Sequence, residues 1–118
     1  MLEILQAPDQ LAAFRLTGDV TGVDYDQMIA ELEERLRRHA RAAVYADLSK
    51  FKRLTRDAFT KDIQYAMSKR RELHRFTRMA IVSDKRWPGL LAQVVGAWLP
   101  FEIRSFKSSE RDEALRWA

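Results

Sequence analysis

Between Leu11 and Phe106, four strand-like runs alternate with stretches of helical periodicity, and in a chain of 118 residues that alternation leaves few folds open. The runs are Leu11 to Thr17, Ala42 to Leu48, Met79 to Ser83 and Glu102 to Phe106. A strand, a helix and a further strand in succession form a crossover unit, which builds parallel pairing. An additional strand, Leu2 to Gln6, precedes the first run across Ala7-Pro8-Asp9-Gln10, whose Pro-Asp pair reads as a tight turn and so as a hairpin. The order is ββαβαβαβα over residues 1–118, a single α/β domain. Its sheet is mixed but mostly parallel, with an N-terminal hairpin and helices packed on it.

Local signals mark the helices. Thr21-Gly22-Val23-Asp24 has the spacing of a capping box, and Tyr25, Met28, Ile29, Leu32 and Leu36 form an apolar stripe behind it. Asp24 and Asp26 lie in the first turn, with Arg35, Arg37, Arg38 and His39 in the last, as the helix dipole favours. Thr55 is the expected N-cap of a second helix with the stripe Phe59, Ile63, Ala66 and Met67. Trp87-Pro88 opens a third, which ends before Pro100, and Ser109 caps a closing helix that reaches Trp117.

The third helix is unusual. Its core stripe is Trp87, Leu90, Leu91, Val94, Val95 and Trp98, yet of the remaining positions only Gln93 carries a polar side chain. Thirteen residues span roughly 20 Å, too short for a bilayer core of roughly 30 Å. Such a helix packs into its own core with small residues outward, or is covered by a partner subunit, a lipid surface or neighbouring helices around an apolar ligand.

Charge is unevenly distributed. Residues 1–49 hold five Lys and Arg against nine Asp and Glu, whereas residues 50–86 hold twelve against four. The basic middle third, which includes Lys50, Lys52, Arg53, Arg56, Lys69, Arg70, Arg71, Arg75, Arg78, Lys85 and Arg86, is either a solvated face or an attractor of anionic headgroups or nucleic acid. Nucleic acid is disfavoured, because no aromatic RNA-binding pattern accompanies the charge. Tryptophans near both ends of an apolar helix beside a basic rim suit a membrane interface better.

Catalytic and cofactor chemistry find little support. Without cysteine there is no disulfide, thiolate nucleophile or Cys-based metal site, which fits a reducing compartment. No metal site and no cofactor are expected. The four glycines, at 18, 22, 89 and 96, form no phosphate-binding motif. His39 and His74 both sit near helix ends and read as capping residues. Asp47 and Asp84 fall at the carboxyl ends of two expected parallel strands, the edge where open α/β sheets bind ligands, though such positions are more often turns or caps. The start of the chain lacks the basic and apolar pattern of a signal peptide, so a cytoplasmic location is expected, extending to peripheral contact with the inner membrane face.

Several residues taken in order resemble the SpoIIAA-like family, the bacterial branch of STAS domains whose fold is compared with CRAL-TRIO lipid-binding proteins. They are Gly18 to Thr21 with Asp24-Tyr25, Asp47-Leu48 closing a strand, the stretch Met79-Ala80-Ile81-Val82-Ser83-Asp84-Lys85-Arg86-Trp87, and Phe106 with Ala114, Leu115 and Trp117. The resemblance implies a small non-enzymatic domain, usually a homodimer, with an apolar groove between its second and third helices for ligand or membrane contact. Anti-sigma-factor antagonists of the wider group carry a phosphorylated serine in an Asp-Ser-Ser-Gly motif at the start of the second helix. Here that place reads Thr55-Arg56-Asp57-Ala58; the motif is missing, N-capping accounts for Thr55, and a phosphoswitch is not expected.

The resulting expectation is a binding module for an apolar or amphipathic ligand, such as a lipid, or for an anionic membrane surface. Phe59, Ile63, Met67, Trp87, Leu91, Val95 and Trp98 would line the groove, and Lys69, Arg70, Lys85 and Arg86 would hold an anionic headgroup. The alternative is a regulatory protein-interaction module whose apolar third helix is a subunit or partner interface.

Overall fold

The computed structural model describes residues 1–58, 60, 61, 64, 74–85 and 101–118, without the side chain of Leu54. The strands are β1 (Leu2–Leu5), β2 (Leu11–Val20), β3 (Ala42–Leu54), β4 (Phe76–Val82) and β5 (Glu102–Phe106), and they lie side by side in that order. β1 is antiparallel to β2 and every later pair is parallel, as the alternation of runs and helices predicts. The long helix α1 (Gly22–Arg38) connects β2 to β3. A second helical segment begins at Arg56, and a short C-terminal helix (Arg111–Trp117) follows a 3₁₀ turn (Ser108–Glu110).

Alternation along the strands separates two apolar layers. On one face Ala12, Phe14 and Val44 meet Leu32 and Leu36 of α1, with Met28 and Ile29 packed at the margin. That is the stripe expected for the first helix. On the other face Leu11, Ala13, Tyr45, Ala80, Val82 and Phe106 meet Ala114 of the C-terminal helix. Phe14 and Val82 are fully buried, each contributing about 2 kcal/mol of transfer free energy.

The capping box forms as its spacing requires. The Asp24 N–H donates to Thr21 Oγ1 at 3.2 Å and the Thr21 N–H to Asp24 Oδ2 at 3.1 Å. At the other end of α1, His39 is the C-cap residue, and its ring Nε2 stands 2.6 Å from Asp9 Oδ2. His74 is an exposed turn residue before β4.

Two expectations need correction, and a third residue is buried more deeply than its charge suggests. β3 does not close at Asp47-Leu48 but continues to Leu54, because β2 runs on beside it to Val20 and supplies ladder hydrogen bonds that override the polar sequence Ser49-Lys50. Arg35 lies in the last turn of α1, as expected, but is not at the surface. It is 8% exposed, and its Nη1 donates to the backbone oxygens of Pro8, Asp9 and Leu11 at 2.9 to 3.0 Å. Nor does Ser109 cap the closing helix, since it sits inside the 3₁₀ turn; there the Glu110 carboxylate accepts from the Lys107 N–H at 2.9 Å.

Candidate functional site at the carboxyl edge of the sheet

The parallel strands end at different heights. Asp47, in mid-β3, is level with Val82, which in turn is level with Phe106, the last residues of β4 and β5. Beyond that line β2 and β3 continue as a two-stranded ledge, with Thr17 beside Lys50 and Asp19 beside Arg53. Gly18, the ledge's one positive-φ residue at φ 65°, borders a register irregularity where a side-chain-bearing residue would be strained.

Asp47 is fully buried at the foot of this ledge. Its Oδ1 accepts from the Ser49 N–H at 3.0 Å and the Ser49 hydroxyl at 2.7 Å, and its Oδ2 accepts from Arg111 Nε at 2.9 Å. Arg15 Nε stands 3.5 Å from the same Oδ2, and Arg111 Nη2 donates to Ser49 Oγ at 2.8 Å. Burial works to raise the Asp47 pKa, but the hydrogen bonds from Ser49 and Arg111 outweigh it and hold the carboxyl below 3.8. The hydrogen bond to Asp47 likewise holds the Arg111 guanidinium above its ordinary range. Burial, then the Asp47 charge, raises the neighbouring Tyr45 phenol.

Asp84 makes a second closed arrangement. Its carboxylate accepts from the Ser108 hydroxyl at 2.7 Å and the Ser108 N–H at 2.9 Å, bonds that lower its pKa. A third links two helix starts: Asp57 accepts from the Gly22 N–H at 3.1 Å and from the Thr55 hydroxyl, and the Thr55 bond is the main cause of its lowered pKa. Thr55 Oγ1 also accepts from the Ala58 N–H at 3.4 Å, the N-cap contact its position predicts.

The two aspartates singled out from sequence therefore lie at the expected edge and serve as fasteners. Each is committed to local donors, leaving neither placed as a general base. Their principal partners, Arg111 and Ser108, had no role assigned from sequence. Arg111 did carry a signal: an arginine as the first residue of a helix opposes the helix dipole and needs another reason to be there. Among the described residues no three His, Cys, Asp or Glu are grouped for a metal, and no helix is long and apolar enough to cross a membrane.

Of the groove and headgroup residues, only Lys85 is described; its Nζ reaches the Phe51 oxygen at 3.5 Å. Phe59, Ile63, Met67, Trp87, Leu91, Val95, Trp98, Lys69, Arg70 and Arg86 lie outside the described residues, as does the third helix. Parts of the basic middle third have structural work. Arg53 pairs with Asp19 at 3.3 Å, Lys61 pairs with Asp26 at 3.0 Å, and Arg75 donates to the backbone oxygens of Leu36, in α1, and of the C-cap residue His39. Lys50, Lys52 and Arg56 remain exposed around the ledge, without an ion-pair partner among the described residues.

Comparison with known proteins agrees with this architecture. A protein from Shewanella loihica, described as uncharacterized and of SpoIIAA-like fold, superposes with a TM-score of 0.75 at 24% identity, over 99% of this chain and 91% of its own. The unphosphorylated anti-sigma factor antagonist SpoIIAA gives 0.63 at 11% identity, with all of both chains covered. The phosphorylated Bacillus cell fate determinant SpoIIAA gives 0.59 at 11%, over 98% and 100%. No curated protein matches by sequence. The SpoIIAA-like family model matches residues 11–118, which include β2 to β5 and α1, and the chain belongs to the SpoIIAA-like family.

Proposed function

We propose that this chain is a non-enzymatic regulatory module that acts by binding another protein, with the carboxyl edge of its sheet as the docking face. One observation carries the reading. Asp47, Asp57 and Asp84 are all bound up in hydrogen bonds, while Lys50, Lys52, Arg56 and Lys85, on the ledge and in the segments that follow β3 and β4, are exposed. An edge built this way has rigid geometry and an unbalanced positive charge, which favour recognition of an acidic surface over chemistry. Family membership supports the same reading, as does fold likeness to an anti-sigma factor antagonist. The lipid or membrane reading concerns mostly residues outside the described set and is the competing outcome.

The test is affinity capture from the source organism by the wild-type chain and by a Lys52→Glu/Lys85→Glu variant, alongside sedimentation with anionic vesicles. A protein retained by the wild type and lost by the variant is the expected result; a second copy of the chain counts as such a protein. Vesicle binding without any protein partner, or capture indifferent to the two charges, would overturn the proposal.

A further inference from the structure

At the opposite end of the sheet a cleft of about 1000 Å³ opens below the amino ends of β2, β3 and β4. Its volume is at the upper limit of ordinary ligand pockets, roughly 300–1,000 Å³. Pro8, Leu11, Ala42 and Ala43 contribute apolar surface, and Leu115 of the C-terminal helix, 39% exposed, projects into it. Arg41, Arg78 and Arg116 line it from three separate elements: the link after α1, β4 and the C-terminal helix. Among the described residues no Asp or Glu lines the cleft.

The state of these guanidinium groups gives the cleft its chemistry. Arg78 is held in place, donating to the Trp117 oxygen at 2.8 Å and lying 5.1 Å over the Trp117 ring, yet neither contact neutralises its charge. Arg41 and Arg116 are exposed and have no carboxylate partner among the described residues. Four surface arginines elsewhere have a carboxylate partner: Arg15 pairs with Glu3, Arg37 with Glu34, Arg38 with Asp9 and Arg53 with Asp19. An apolar floor beneath three arginines that have no Asp or Glu partner among the described residues is complementary to a chain segment carrying carboxylates around an apolar anchor.

We propose that this cleft binds an acidic peptide segment of a partner protein, one apolar side chain meeting Leu115 and Leu11 and its carboxylates meeting Arg41, Arg78 and Arg116. A bilayer fits less well because the surface recedes, and interfacial contact needs apolar groups that advance into the lipid. Single-stranded nucleic acid fits less well because, among the described residues, no Phe, Tyr or Trp lines the cleft and only the His39 ring is there for a base to stack on. The surface is at the end of the sheet opposite the docking face proposed above, so the module would hold two partners, or two parts of one.

Selection of a random dodecapeptide display library on the full chain tests this. Enriched peptides should combine Asp or Glu with a central Leu, Ile or Phe. In fluorescence anisotropy their binding should weaken about tenfold or more in Arg41→Glu/Arg116→Glu, and weaken with added salt. Both positions are exposed and without described partners, so the variant is expected to keep its thermal midpoint; Arg41→Gln/Arg116→Gln serves as a milder second variant. Lys52→Glu/Lys85→Glu should leave the selected peptides bound, which separates this surface from the carboxyl edge. No enrichment, a basic consensus, or binding unchanged by both double variants at positions 41 and 116 would overturn the proposal. So would cleft-dependent binding of phosphatidylglycerol vesicles or an oligothymidine probe in place of peptide.

Discussion

The contact between Arg111 and Asp47 joins residues 64 positions apart and exposes its two members very unequally: the arginine side chain is 41% accessible and the aspartate 0%. Replacing Arg111 by Met leaves a buried carboxylate whose remaining help is the pair of hydrogen bonds from Ser49 and the Arg15 guanidinium at 3.5 Å. Replacing Asp47 by Asn leaves a guanidinium that water can reach. The first should therefore cost more. Urea unfolding is expected to show a loss of about 2 kcal/mol for Arg111→Met, the value being held down by the arginine's exposure. The double variant with Asp47→Asn should recover part of that loss, and strictly additive losses would contradict a coupled pair. Gly22 offers a steric counterpart. A Cβ there would stand 2.1 Å from Asp57 Oδ2, which also accepts the Gly22 N–H. Gly22→Ala must displace that carboxylate and loosen the join between the two helix starts, at about 1 to 2 kcal/mol. A thermal midpoint equal to wild type would show that the join contributes nothing.

Among the elements, the C-terminal helix depends most on its docking. Seven residues are too few for a stable helix in water, so its order must come from contact with the sheet. Ala114 is fully buried against the layer of Tyr45, Ala80 and Val82, Trp117 packs beside Phe106 with centroids 5.9 Å apart, and Ser108 and Arg111 fasten its start. Ala114→Asp places a charge in that apolar layer and should release the helix. Amide exchange of residues 111–117 should then become unprotected while α1 keeps its protection; loss of protection in both at once would mean that the helix is integral to global stability. Legibility from sequence divides along the same lines. The apolar stripe and capping box of α1 are local patterns and appear as predicted, and so do the mostly parallel pairing and the antiparallel hairpin, because chain connectivity limits how such strands can pair. The tail of β3 was hidden because its hydrogen bonds come from a neighbour about 35 residues away. Arg35 was hidden for a similar reason: its acceptors are the carbonyls of a turn that only folding brings to it. Of the candidate site, Asp47 and Asp84 could be placed at the sheet edge from sequence, but their partners could not, since nothing local to Asp47 points to Arg111.

Across the whole molecule, aspartates join the helices and turns to the sheet. Asp9 ties the β1–β2 turn to the end of α1, Asp24 closes the start of α1, Asp57 links the two helix starts, and Asp47 and Asp84 hold the C-terminal segment. All five carboxyls are held below the ordinary 3.8. The causes are the His39 hydrogen bond for Asp9, the Thr21 backbone for Asp24, Thr55 for Asp57 and Ser108 for Asp84; for Asp47, Ser49 and Arg111 prevail over burial. A carboxyl more acidic in the folded chain than in the unfolded one favours folding fully above the unfolded value. That contribution is lost as pH falls through the folded value, because below about 3.8 the unfolded chain takes up protons that the folded chain resists. Five such groups acting together predict a sharp acid limit. The urea midpoint should change little between pH 7 and 5, then fall steeply below about pH 4. In Asp47→Asn, which lacks one of the five titrations, the midpoint should start lower at neutral pH and fall less steeply. A wild-type midpoint that stays level down to pH 3 would show that these aspartates are spectators of the fold rather than its fastenings.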